Sequence, residues 1–212
     1  MEGIITKSST EAQSSVELSR PYGFYCSIIK PALDWTAGLL LLPVVAPLLL
    51  LLCLLIKLES EGPALFRQKR VGKDGKVFTI YKLRTMYTHV PKEGRSPDST
   101  DDPRITKVGK WIRKTSLDEL PQLLNILRGE MSFVGPRPEQ LSIVQDAYGE
   151  KERQRFLVKP GITGLWQTSA DRKAPIHHNL HHDFTYIQNI SWRMDVYILL
   201  RTALVMLKSN TY

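Results

Sequence analysis

From Trp35 to Ile56 the chain runs for 22 residues without a charged side chain, WTAGLLLLPVVAPLLLLLCLLI. A helix of about 20 apolar residues reaches across the roughly 30 Å hydrocarbon core of a bilayer. The core helix of a water-soluble domain normally keeps a polar face, and this run has none. The sequence therefore assigns the segment to a membrane. The run starts beyond residue 30 and no A-x-A-like pattern follows it, which argues against a cleaved signal peptide. Pro47 divides it into Trp35–Ala46 and Leu48–Ile56, twelve and nine residues. At 1.5 Å per residue these halves measure about 18 and 14 Å, each too short to cross alone. A helix bent at Ala46-Pro47 re-emerges on the side it entered, which predicts that both termini are cytoplasmic.

The 212 residues carry 29 Lys+Arg against 21 Asp+Glu, a net charge of +8. Length suits one domain with an appendage. A composition 42% hydrophobic and 24% charged excludes a wholly disordered chain and a many-pass membrane protein. Two cysteines, Cys26 and Cys53, make no disulfide framework and read as free thiols. The charge is concentrated after the apolar run. Between Lys57 and His89 eight Lys/Arg face three acids, which is +5 of the total +8. A basic cluster beside a membrane segment reads as cytoplasmic and as binding anionic membrane lipid. No zinc, helix-turn-helix or RNP-type motif accompanies it, so nucleic acid is not an expected partner.

The expected division is a flexible tail over 1–29, a re-entrant membrane helix over 30–57 and a cytoplasmic domain over 58–212. Residues 64–84 read as a β-hairpin around Gly72-Lys73-Asp74-Gly75. Residues 88–104, rich in Pro, Ser, Asp and Gly, read as an exposed loop. Helices are expected over 107–127, 142–156 and 195–208. The last is strongly apolar but too short to span, so it packs on the core or lies in the interface.

Asp118 and Glu119 stand in the stretch TSLDELPQLL among Arg113, Lys114, Arg128 and Arg137. Pro121 cannot lie deep in a helix. With Asp118 as N-cap it falls at the third helical position, where no donor is needed; Ser116 and Glu119 could instead form a capping box. Either way both carboxylates sit at a helix N-terminus, whose dipole favours their ionised form. Alone, the pair reads as a cap and a solvated acid. Acids enclosed by bases suit a divalent cation and a phosphate ester, with the bases on phosphate oxygens. Gly135-Pro136-Arg137-Pro138 reads as a stiff turn presenting Arg137. Pro160-Gly161-Ile162-Thr163-Gly164 reads as a turn whose glycines let backbone approach a ligand.

These segments, in this order, resemble the bacterial sugar transferase family, the monotopic polyprenyl-phosphate phosphoglycosyl transferases. The matching stretches are 66–72 (FRQKRVG), 81–86 (YKLRTM), 102–106 (DPRIT), 116–123 (SLDELPQL), 129–138 (GEMSFVGPRP) and 159–167 (KPGITGLWQ). The resemblance covers about Lys30 to Leu207. It implies transfer of a sugar 1-phosphate from a UDP-sugar to polyprenyl (undecaprenyl) phosphate, giving the polyprenyl-diphosphate sugar and UMP. It implies Mg²⁺ as cofactor and Asp118-Glu119 as the catalytic dyad, both also metal ligands. Asp118 is then the nucleophile, forming an aspartyl-phosphosugar, and Glu119 a metal ligand or acid/base. Lys82, Arg84, Arg113 and Arg137 become phosphate contacts, and Gln167 a substrate-binding residue. The implied location is the cytoplasmic face of the bacterial inner membrane, with a homodimer left open. The family breaks its membrane helix at a Ser-Pro pair. Here the pair is Ala46-Pro47, with the serine replaced, and Pro43 offers a second place to bend.

The fold class expected is α+β: a broken re-entrant membrane helix, a β-hairpin and several helices around a basic pocket at the membrane surface. The competing reading is a non-catalytic membrane-attached adaptor with a basic face, which has no need of the dyad. His177/His181 and His178/His182 are spaced i, i+4, so each pair on a helix could share a metal. The resemblance gives them no such role, and a polar surface is the preferred reading.

Overall fold

A computed structural model of the chain describes residues 18–21, 23–91, 97, 99 and 101–208. The tail expected over 1–29 lies outside the described residues as far as residue 17, as does part of the loop expected over 88–104. Leu18, Arg20 and Tyr25 are tied to the body. The Leu18 amide donates to Gln154 Oε1 at 2.7 Å, Arg20 pairs with Asp74, and the Tyr25 hydroxyl donates to Asp195.

Tyr25–Ile29 form a π-helical turn that leads into α1, Lys30–Glu59. Pro31 sits in its first turn, where no N–H is required. Both Pro43 and Pro47 lie inside this helix, and helical backbone continues through them. Ala46-Pro47 is thus part of one element and not a gap between two. Each proline removes a single bond, to Leu39 and to Pro43, while the adjoining turns keep theirs. Gly38, Val45, Leu52 and Ile56 are buried along one side of α1, at the seven- and four-residue spacing of a single helical face. Leu40, Val44, Leu50 and Leu58 on the other sides are exposed.

Strands β1 (Leu65–Val71) and β2 (Val77–Leu83) pair antiparallel from Leu65↔Leu83 to Val71↔Val77. The connecting turn has Asp74 and Gly75 at φ 57° and 72°, the left-handed region that Asp-Gly sequences tolerate. Then come α2 (Lys107–Lys114), a 3₁₀ helix (Leu117–Gln122) and α3 (Leu123–Leu127). The Thr106 hydroxyl caps α2 by accepting from Gly109 N at 2.9 Å. Next are β3 (Ser132–Val134), β4 (Glu139–Gln140), α4 (Leu141–Ala147) and α5 (Glu150–Arg153), the last followed by a 3₁₀ turn over Gln154–Leu157. The helix expected over 142–156 is therefore divided, with extended backbone at Tyr148 and Gly149. The chain closes with β5 (Gly161–Thr163), α6 (Leu165–Thr168), α7 (His181–Gln188) and α8 (Trp192–Lys208).

The hairpin gains β4 on the β1 edge, giving the order β2-β1-β4, while β3 and β5 form a separate parallel pair. This mixture of helix and sheet is α+β. Leu52 and Ile56 of α1 are buried with Ala64, Leu83 and Ile112. Phe78 and Ile80 of β2 pack with Ile126 and Met131. Burying each such side chain contributes about 1.5–3 kcal/mol. The hairpin is thereby fixed between α1 and α3. Both ends of α1 rest on this body: Asp34 Oδ1 accepts from Phe133 N at 3.1 Å, and the Glu59 carboxylate accepts from Val108 N at 3.0 Å. Helix α8 packs on the core, one of the two readings given for it. Ile198 is buried with Val134 and Tyr186, whereas Leu199, Leu200, Leu204 and Leu207 are exposed.

Candidate active site

The carboxylate pair lies in the first turn of the 3₁₀ helix Leu117–Gln122. Asp118 is not the N-cap. That place is taken by Ser116, whose backbone is left-handed (φ 56°) and whose side chain makes no capping bond. The reversal at Ser116 turns the chain out of α2, and the tight 3₁₀ winding accommodates Pro121 before α3 begins. Glu119 Oε1 accepts from Lys82 Nζ of β2 at 2.6 Å and from Arg137 Nη2 at 3.3 Å. Asp118 Oδ2 is 3.8 Å from the same Lys82 nitrogen. Three segments far apart in sequence therefore converge: the end of the hairpin, the Asp-Glu turn and the Gly-Pro-Arg-Pro turn.

The convergence is an open cleft with Arg70, Lys82, Glu119, Gln122, Arg137, Pro138 and Gly161 in its wall. Burial works against ionisation of both carboxyls, with opposite outcomes. Around Glu119 it is outweighed by Lys82 and Arg137, which pull the group down to about 2. At Asp118 burial prevails and raises the pKa, the Glu119 charge adds to it, and Lys82 and Arg113 oppose. Glu119 is the more acidic of the two, and a further cation beside Asp118 would favour its carboxylate. Both are hard oxygen donors side by side, Glu119 in the cleft wall and Asp118 next to it, their side chains 18% and 16% exposed. That donor set fits Mg²⁺, which takes one or two carboxylates and keeps several waters.

Lys82 and Arg137, expected as phosphate contacts, lie beside the dyad. Arg113 donates Nε to Thr85 Oγ1 at 2.9 Å, and its charge still favours the Asp118 carboxylate. Arg84 is a correction. It is buried, and its guanidinium donates to the carbonyls of Glu61, Ile56 and Ser60, satisfying the C-terminal end of α1. It is a brace for α1, not a phosphate ligand. Gln167 donates Nε2 to Ile162 O at 3.3 Å. Its Oε1 and the neighbouring Trp166 Nε1 are buried without a hydrogen-bond partner. The Trp166 ring lies beneath Arg137, 5.9 Å from ring centre to guanidinium carbon.

Sequence reasoning missed Arg70. On the hairpin, 66, 68 and 70 face the same side as 78, 80 and 82. This alternation, applied to the basic stretch, was the signal that places Arg70 beside the cleft. Burial and the adjacent Arg137 depress it to about 10, with Glu139 and Glu119 opposing. The glycines of 160–164 also differ from expectation. A Cβ at Gly161 would fall 2.1 Å from Gly135 N, and one at Gly164 2.3 Å from Gly135 O. They allow backbone to approach backbone and so hold the two turns together. The histidines do not share a helix: His177 and His178 end a 3₁₀ turn before α7 starts at His181. His182 Nε2 lies 2.8 Å from Asp171 Oδ2, with His181 Nε2 at 3.9 Å. The positive end of α7 and the adjoining Arg172 and Lys173 disfavour a cation there.

Residues 25–209 match the profile of the family described as bacterial sugar transferase. The chain belongs to that family. It is 41% identical over 181 residues to a UDP-N-acetylgalactosamine-undecaprenyl-phosphate N-acetylgalactosaminephosphotransferase of Aeromonas hydrophila, covering 83% of this chain and 43% of that one. It is 44% identical to a UDP-glucose:undecaprenyl-phosphate glucose-1-phosphate transferase of Caulobacter vibrioides, covering 82% and 68%. It is 40% identical to the exopolysaccharide production protein PSS of Rhizobium leguminosarum bv. phaseoli, covering 83% and 94%. The chain thus spans less than half the length of the Aeromonas relative.

Proposed function

We propose that this bacterial sugar transferase moves a sugar 1-phosphate from a UDP-sugar to undecaprenyl phosphate, releasing UMP and beginning the assembly of a polysaccharide on its lipid carrier. The reading rests on one observation above the others: Asp118 and Glu119 meet Lys82 and Arg137 at a cleft in a chain of this family. Two relatives are named for the same class of transfer with different sugars, so the class of donor carries over and the sugar does not.

The chemistry follows from the charges. Donor and acceptor each bring phosphate, and Arg70, Lys82 and Arg137 offset the repulsion. An Asp118 carboxylate oxygen attacks the sugar-bearing phosphorus of the donor. The bond to the bridging oxygen breaks, UMP departs with that electron pair, and an aspartyl-phosphosugar remains. The acceptor phosphate oxygen then attacks the same phosphorus and frees Asp118. Asp118 and Glu119 are the residues that would hold Mg²⁺, which supplies charge neutralisation at the transferring phosphoryl group. Glu119, kept ionised by Lys82 and Arg137, anchors that cluster and orients Arg137.

The membrane reading is re-entrant insertion from the cytoplasmic face of the inner membrane. It is supported by the contacts of Asp34 and Glu59 at opposite ends of α1 with one body. The 25 helical steps from Asp34 to Glu59 rise about 38 Å. A helix crossing a bilayer would carry its ends to opposite sides. The two prolines let α1 bend, and its outward leucines face the acyl chains. An adaptor reading has no use for two acids sharing one lysine in a cleft.

The test is UMP release by the full chain in detergent or nanodiscs, with Mg²⁺, undecaprenyl phosphate and a panel of UDP-sugars. The expected result is UMP from at least one donor, dependent on Mg²⁺. Absence of UMP across the panel overturns the proposal and favours the adaptor.

A further inference from the structure

The turn that presents Arg137 is held from behind by three donors on three consecutive carbonyls. Gly161 N donates to Pro136 O at 2.9 Å. Arg155 Nη2 donates to Arg137 O at 2.6 Å, and Arg70 Nη1 to Pro138 O at 3.0 Å. Arg155 is not part of the cleft that holds the dyad: its side chain is 1% exposed, on the 3₁₀ turn after α5. Its guanidinium also pairs with Asp183 Oδ2 of α7 at 2.7 Å and donates to the Tyr148 hydroxyl at 2.7 Å. Glu139 lies between the two arginines, 3.9 Å from Arg155 and 3.8 Å from Arg70.

We infer that Arg155 is a positioning residue for Arg137: it sets the direction of the Arg137 carbonyl and so aims that guanidinium at Glu119 and the donor phosphates. The inference rests on the transferase reading for its substrate. Prolines on both sides of Arg137 restrict the backbone but remove the amide of residue 138, so no strand ladder is available to fix the turn. Side-chain donors take over that task. A buried ion pair is weak evidence of stabilisation, because apolar side chains of similar volume often serve stability as well. What a guanidinium adds is direction, with several donors in a fixed fork. Arg155 spends them on a carbonyl, a carboxylate and a phenol from three different elements. Arg137 then reaches Glu119 at 3.3 Å from a backbone that cannot drift.

A double-mutant cycle tests this in the full chain. Arg155→Lys keeps the charge and loses the fork. It is expected to lower kcat/KM for the UDP-sugar by about 10- to 100-fold, the scale of an ångström-sized misplacement. In an Arg137→Ala background the same change is expected to cost less than about threefold, because the group it positions is gone. Losses that multiply, or an Arg155→Lys enzyme with wild-type kcat/KM, overturn the inference. Should Arg155→Lys not fold, Tyr148→Phe removes one partner of the fork and is read through the same cycle with the same two outcomes. A second readout needs no turnover. With Trp35, Trp111 and Trp192 replaced by Phe, the emission of Trp166 reports the guanidinium above it. Arg155→Lys is expected to shift that emission in the direction of Arg137→Ala, and an unchanged spectrum overturns the inference. If the wild-type chain releases no UMP while the emission shifts as expected, the transferase reading fails and the positioning role stands.

Discussion

Two ion clusters lie on either side of the Gly-Pro-Arg-Pro turn, built from the same residue types. In one, Asp118 and Glu119 share Lys82 and Arg137, and the carboxylates are 16% and 18% exposed at the mouth of a cleft. In the other, Arg155, Glu139 and Asp183 are 1%, 6% and 3% exposed, and their partners are backbone carbonyls and each other. The difference is access, not composition. A salt bridge open to a cleft can exchange one partner for a phosphate or a metal ion. A sealed one is closed to such an exchange and instead joins the elements that carry it. Arg137 belongs to both, its carbonyl in the sealed cluster and its guanidinium in the open one.

The largest effect expected from breaking this contrast is at Asp118. Asp118→Asn should lower UMP release by at least about 10³-fold, because a covalent route and a metal ligand each contribute several kcal/mol at about 1.4 per tenfold. The thermal midpoint should hold within a degree or two, since Asp118 caps nothing. A folded variant with near-native turnover would falsify the nucleophile assignment. In the same framework initial-rate kinetics should be ping-pong. Donor alone should release at most one equivalent of UMP and leave the phosphosugar mass on the Asp118 peptide.

Next in size is the sealed cluster. Asp183→Ala leaves Arg155 buried beside fewer acids and should cost about 3–5 kcal/mol of stability, read from denaturant or thermal unfolding. This is the reverse signature of Asp118→Asn: stability falls first, and activity follows the folded fraction. Replacing Pro43 and Pro47 together with leucine should restore two backbone bonds and shift α1 toward a spanning topology. With Cys26 and Cys53 replaced by serine, a cysteine at position 19 should label only after permeabilisation in the wild-type helix, as one at position 151 does. Labelling of position 19 from the outside in the wild-type background would overturn re-entrant insertion. The smallest effect belongs to the exposed pair Arg20–Asp74. Asp74→Asn should change stability by less than about 1 kcal/mol, since surface pairs are screened and asparagine tolerates the left-handed backbone.

The hairpin was legible because Asp74-Gly75 between two alternating runs is a local signal. The dyad was legible because its members are neighbours in sequence, preceded by bases and followed by Pro121. Arg84 was expected beside Lys82 as a phosphate contact. However, β2 ends at Leu83, and the amide of Arg84 turns to Ala64 O at 2.8 Å. A strand end is set by tertiary partners, which no spacing reveals. Arg155 and Asp183, 28 positions apart, carried no signal at all, since burial of a charged side chain is decided by what packs over it.

The seating of α1 has a practical consequence. Leu52 and Ile56 are the partners of Ala64, Leu83 and Ile112, and Arg84 closes the end of the same helix. A chain cut at residue 60 to obtain a detergent-free enzyme would lose one wall of its own interior. It is expected to aggregate rather than dissolve. A water-soluble version would have to keep α1 and replace only its outward side chains, beginning with Leu40, Val44, Leu50 and Leu58, so that the lipid is dispensed with and the foundation is not.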